Sequence, residues 1–122
     1  MRVVLNVEAF EHAKRLIRRA RYVADDRDAW TRHRPRVEVE NAYILEHGSE
    51  EYAKWYLGID RNEHHDVKQK YRFPFGDFED VHRCGLLFGE SQARLYGHED
   101  IEQAARELYT MIDDRLRAQP SR

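Results

Sequence analysis

Between Glu99 and Ala118 the apolar residues Ile101, Ala104, Ala105, Leu108, Ile112 and Leu116 recur at intervals of three and four. One face of a 3.6-residue helix collects them all, and such a face is stable in water only when laid on a core. The chain must therefore fold around at least one long amphipathic helix. A second stripe predicts another helix from Val7 to about Val23, with Phe10, Ala13, Ile17, Ala20 and Ala24 facing inward and Leu16 and Val23 widening the face. Asn6 is a good N-cap for it, and Glu8 and Glu11 suit the positive end of the helix dipole.

The segment between these helices is cut by glycine and proline. Residues 25–36 break the period and end in Pro35-Arg36, which reads as a loop whose Trp30 folds back as a lid on the core. A helix from Val37 to His47 is stopped by Gly48. Ser49 is positioned to cap a third, which Gly58 closes after Tyr52, Ala53, Trp55, Tyr56 and Leu57. Residues 59–70 are charged and irregular, an exposed loop. In Tyr71-Arg72-Phe73-Pro74-Phe75-Gly76-Asp77-Phe78, Pro74 drives Phe73 out of helical geometry and Gly76 permits a sharp turn. Asp77 then caps a helix from Phe78 to about Tyr96, ended by Gly97. Gly85 and Gly89 inside it cost about 1 kcal/mol each relative to Ala, which predicts a close helix crossing there. Pro120 follows the end of the last helix. The fold expected is all-α: a single domain over 1–122, a compact bundle of four or five helices.

At 122 residues the chain is long enough for one core without disulfide or metal support. Its lone cysteine, Cys84, has no internal partner, and the opening residues are too short for a secretory core, which predicts a cytoplasmic protein. No apolar run is long enough for a membrane span, so no membrane partner is expected. Residues 1–36 hold ten Lys/Arg against five Asp/Glu, and the remainder eleven against eighteen. A basic head on an acidic body meets either an anionic partner or its own acidic remainder.

Trp55-Tyr56-Leu57-Gly58-Ile59-Asp60, the Phe73-Pro74-Phe75-Gly76-Asp77-Phe78 turn and Val81-His82-Arg83-Cys84-Gly85 together resemble a family of small uncharacterised bacterial proteins. The likeness continues through Phe10-Glu11-His12-Ala13, Asp100-Ile101-Glu102 and Ala104-Ala105. The second half is also loosely similar to helical modules of phage-associated proteins. Ala in place of Gly89 and Thr-Lys in place of Val67-Lys68 would fit the family pattern better. The resemblance implies a small helical fold and no activity.

Few residues carry a signal of chemistry. On a regular helix His82 and Cys84 point in different directions, so they do not share a metal, and no Cys-x-x-Cys partner exists. Cys84 reads as a small buried apolar group and His82 as a structural residue bonded to the preceding turn or to an acid. His64-His65-Asp66, with Glu63 and Asp60, has the ligand types of a weak divalent-metal site, but a solvated loop explains the same residues more simply. No metal and no cofactor is expected. Phosphate-cradling loops, nucleophile elbows and dinucleotide fingerprints are lacking.

Two surfaces remain. Lys14, Arg15, Arg18, Arg19 and Arg21 form a basic face on the first helix suited to phosphates. Trp55, Asp60, Tyr71, Phe73, Asp77 and His82 combine aromatic walls with a few polar groups, the makings of a ligand pocket. The leading expectation is a non-catalytic binding module acting through a protein partner or self-association. A nucleic-acid binder using the basic face, and a small enzyme or ligand-binding protein centred on Asp77 and His82, are the alternatives. Whether the chain is an enzyme stays open at this level.

Overall fold

The computed structural model describes residues 3–119, so Pro120 lies outside the described residues. The chain is mixed α/β, and this corrects the all-α expectation. Strands β1 (Val3–Leu5), β3 (Tyr56–Asp60) and β4 (Tyr71–Pro74) form an antiparallel sheet in the order β1-β3-β4. Its register pairs Val3 with Asp60, Leu5 with Gly58 and Tyr56 with Pro74. A second, two-stranded sheet pairs β2 (Tyr22–Val23) in parallel with β5 (Val81–His82). The helices are α1 (Val7–Arg18), α2 (Trp30–His33), α3 (Val37–His47), α4 (Ser49–Ala53), α5 (Val67–Lys70), α6 (Arg83–Leu95) and α7 (Glu99–Ala118).

Strand β3 escaped the helical reading because it lies at the centre of its sheet and is buried along nearly its whole length. Such a strand shows a continuous apolar run instead of alternation. Gly58 does not close a helix. A β-carbon there would stand 2.8 Å from the Phe73 ring and 3.3 Å from Ile101, so the position belongs to a strand crowded on both faces. The helix expected from Phe78 begins instead at Arg83. The capping chemistry of Asp77 is spent on a turn, where Oδ1 accepts from the backbone N–H of Glu79 and Asp80. Phe78 adopts φ +69° in that turn.

Both stripes hold in part: Leu116 at the end of α7 is exposed, and Ala20 and Ala24, expected to face inward, lie beyond α1 and are exposed. Ile101, Ala104, Ala105, Leu108 and Ile112 of α7 are buried, as are Ala9, Ala13 and Ile17 of α1. Helix α1 ends five residues earlier than expected, and Ala20 turns the chain into β2 with φ +61°. Asn6 caps it and does more: its Nδ2 donates to the Ala53 and Tyr56 carbonyls, tying α1 to β3. Trp30 is buried against Cys84, the lid anticipated for it. Helices α6 and α7 are further joined by buried Glu90, which takes Arg106 at 2.8 Å and the Tyr109 hydroxyl at 3.0 Å. Among the described residues no helix is long and apolar enough to cross a membrane.

Candidate functional site

The parallel pairing of Val23 with His82 sets the geometry of the first candidate site. Asp25 lies two residues beyond Val23, and Cys84 two beyond His82, so the register brings the pair side by side. Cys84 stands in the first turn of α6, where backbone N–H groups lack helical partners. His82, the residue at the N-cap, supplies no side-chain bond. Asp25 does so from across the sheet, its Oδ1 accepting the Cys84 N–H at 2.8 Å.

The other oxygen of Asp25 is a hub. Oδ2 accepts from His33 Nδ1 at 2.6 Å, His82 Nδ1 at 2.7 Å and the Cys84 thiol at 3.0 Å. His82 Nε2 reaches Asp77 Oδ2 at 2.9 Å. With carboxylates on both ring nitrogens, His82 is satisfied only as an imidazolium. Burial opposes that charge, but the bonds to Asp77 and Asp25 prevail and raise its pKa. Burial likewise pushes the Asp25 carboxyl up, yet the Cys84 N–H, His82, the Cys84 thiol and His33 outweigh it and hold the group at about 2. Asp77 follows the same logic, with His82 and two backbone N–H groups holding it at about 2 against burial. Burial and the adjacent carboxylate drive the Cys84 thiol well above its ordinary range. A thiol that donates to a carboxylate is not poised as a nucleophile.

The helical reading had set His82 and Cys84 on diverging faces. Because α6 starts only at Arg83, His82 is extended (φ −105°, ψ 122°), and the two side chains converge on Asp25. Asp25, His33, His82 and Cys84 each offer a ligand-type atom, and these four atoms all lie within 4.8 Å of one another. Asp25 and His33 carried no signal in the sequence. Only the pairing of distant strands and the fold of 27–33 onto α6 bring them here.

The second candidate site is a groove of about 780 Å³ lined by β4 together with residues of α3, α5 and α6. Tyr52, Tyr56, Tyr71, Phe73 and Phe88 form its walls, and Arg34, Lys68, Arg72 and His98 stand among them. Phe73 holds φ +66°, a strained backbone for a bulky residue. Glu40 is the one carboxylate in the lining. Its oxygens are engaged by the Tyr56 hydroxyl at 2.9 Å and Lys68 Nζ at 3.2 Å. Burial raises the Tyr52 phenol to about 12 and Tyr56 further still, so both remain protonated.

The six residues expected to line one pocket are thus divided among four places. Tyr71 and Phe73 line the groove, while Asp77 and His82 belong to the hub. Trp55 is core, edge-on to His12 at 5.1 Å. Asp60 is buried at the end of β3, accepting the Asn62 N–H at 3.0 Å and facing Arg72 at 3.5 Å. The basic face expected on the first helix is divided too, since α1 ends at Arg18, Arg19 is its C-cap and Arg21 follows it. Lys14 pairs with Glu11 at 3.0 Å and Arg21 with Asp80 at 3.0 Å, whereas Arg15, Arg18 and Arg19 are exposed and make no ion pair among the described residues. In the 59–70 stretch, Glu63 binds the backbone of His65 and Asp66, and Asp66 caps α5.

No family model, curated protein or solved structure matches the chain.

Proposed function

We propose that this protein is a non-catalytic binding module whose groove takes a small organic anion with a flat apolar body. The observation that carries the reading is the charge imbalance inside an aromatic cavity. Lys68 is held by Glu40, the carboxylate of the lining, and Arg72 faces Asp60 at 3.5 Å, so the surplus charge rests on Arg34. Arg34 has no ion-pair partner among the described residues, and it flanks the aromatic walls. Pockets of a few hundred Å³ that combine apolar walls with a few placed charges are the usual form of small-molecule sites. Catalysis finds less support, since the hub's thiol is protonated and its carboxylates are fully engaged.

Calorimetric titration with 2-naphthoate, and with 2-naphthamide as the uncharged control, tests this. The carboxylate binds saturably, the amide binds at least tenfold more weakly, and Arg34→Glu weakens the carboxylate by tenfold or more. Equal affinity for both probes, or no saturable binding of either, overturns it.

A second reading, self-association, is favoured by one observation. Helix α3 buries none of its residues, and Val37, Val39 and Leu45 are exposed upon it. Sedimentation velocity over a concentration series tests that reading: a concentration-dependent dimer supports it, and a monomer throughout removes it.

A further inference from the structure

We propose that Asp25, His33, His82 and Cys84 form a binding site for a divalent transition metal of the zinc class. The site is separate from the groove, and neither reading depends on the other.

The first argument is the crowding of one oxygen. A carboxylate oxygen has two lone pairs, yet three donors converge on Asp25 Oδ2 at 2.6, 2.7 and 3.0 Å. The same three side chains present Nδ1, Nδ1 and Sγ, each a metal-binding atom, toward one point. A cation placed among them gives every one of these atoms its own bond and leaves the carboxylate as the fourth ligand. A tetrahedron built on zinc–ligand bonds of about 2.0–2.3 Å has edges of about 3.3–3.7 Å. The contacts described run from 2.6 Å to 3.9 Å between Cys84 Sγ and His33 Nδ1, and every pair of the four atoms lies within 4.8 Å, on both sides of that range. Shifts of about an ångström bring the four atoms to those edges.

The outer shell argues the same way. Histidines that ligate through one nitrogen ordinarily give the other to a carboxylate or carbonyl, which fixes ring orientation and strengthens the ligand. His82 offers Nδ1 to the hub while Asp77 holds Nε2 at 2.9 Å, and Asp77 is itself fixed by two backbone N–H groups. The scaffold around the cluster is closely packed. Gly85 has no room for a β-carbon, which would stand 2.9 Å from the Trp30 ring and 3.1 Å from the Phe75 backbone. That packing presses residues 27–33 onto α6 and so places His33.

Ligand type selects the metal. One thiolate, two imidazoles and one carboxylate suit zinc or its cobalt surrogate, whereas magnesium and calcium prefer oxygen. The side chains of Asp25 and His82 are 9% and 7% exposed and Cys84 is buried, while His33 is 36% exposed and marks the way in. Binding releases the thiol proton to solvent as the sulfur becomes a thiolate.

The test uses the reduced, chelator-stripped full chain. Cobalt(II) is expected to bind one equivalent, with the visible bands of a four-coordinate ion and a near-ultraviolet thiolate-to-cobalt band, and zinc is expected to displace it. Cys84→Ser keeps a donor to Asp25, and with it the fold by circular dichroism, but loses the thiolate band. His33→Ala, at the half-exposed ligand, weakens zinc at least a hundredfold in competition with a chromophoric chelator. Asp77→Asn weakens it about 10–100-fold, the effect expected of an outer-shell partner. No stoichiometric uptake by the wild type overturns the proposal. So does uptake that Cys84→Ser and His33→Ala leave unchanged, which would place the metal elsewhere on the chain.

Discussion

Helix α6 separates two regions built on opposite principles. At its N-terminal end the hub binds Asp25, His33, His82 and Cys84 so tightly that one oxygen takes three donors. Further along the same helix, Phe88, Gly89 and Gln92 line an open groove that Arg34 also borders. The hub shows how a short parallel pair of strands can hold polar groups at fixed positions without a large core around them. The groove shows what the same helix leaves unfilled. Order at one end and vacancy at the other make distinct predictions for substitutions a few residues apart.

The largest effect is expected at Asp25. Asp25→Ala removes the acceptor for the Cys84 N–H and strands the His82 imidazolium beside a single carboxylate. Removing one partner of a buried charged network costs about 3–5 kcal/mol, which urea unfolding will read as a lower midpoint. A loss under about 1 kcal/mol would mean that the hub is not what fixes α6 to β2, and the contrast with the groove would fail.

How much of this contrast was legible in the sequence depends on the range of the interactions. The α1 and α7 stripes, the Asn6 cap and the Gly48 stop are local signals, and each was readable from a few neighbouring residues. The sheet was not. Val3 pairs with Asp60 and Tyr56 with Pro74, and the strands are too short or too buried to alternate. The Asx chemistry of Asp77 was visible, but a turn and a helix start use the same bonds, so the helix was begun five residues early. A helix from Phe78 would turn His82 and Cys84 apart, whereas a start at Arg83 lets both reach Asp25. The expected pocket set joined Tyr71 and Phe73, which line the groove, to Asp77 and His82, which belong to the hub.

Two glycines on α6 sharpen the comparison, and their substitutions are expected to differ in sign. At Gly85, a β-carbon collides with the Trp30 ring and the Phe75 backbone, and backbone has little room to yield. Gly85→Ala should therefore destabilise by about 1–3 kcal/mol, as overpacking does. At Gly89, the nearest atom to such a carbon is 4.0 Å away, on Phe73. The close helix crossing expected at both glycines is found at neither: Gly85 packs on the Trp30 ring and the Phe75 backbone, which lies outside any helix. Gly89→Ala should accordingly raise stability by about 0.5–1 kcal/mol, the helix-propensity difference between the two residues. Thermal unfolding of both variants beside the wild type checks the pair. Equal signs would show that α6 is packed alike along its length.

The smallest effect belongs to α3, the arm that borders the groove through Val37 and Glu40. Leu45 is 89% exposed, and α3 contributes no buried residue to the core. Leu45→Asp should leave the stability of the monomer within about 0.5 kcal/mol of wild type, as surface changes usually do. Unfolding at low protein concentration measures that value. Repeating it at high concentration separates the two roles of the arm. If α3 is only a wall of the groove, the wild type and the variant unfold together at every concentration. If α3 is an interface between copies, the wild type gains stability as concentration rises and the variant does not, because association stabilises only the chain that can still associate.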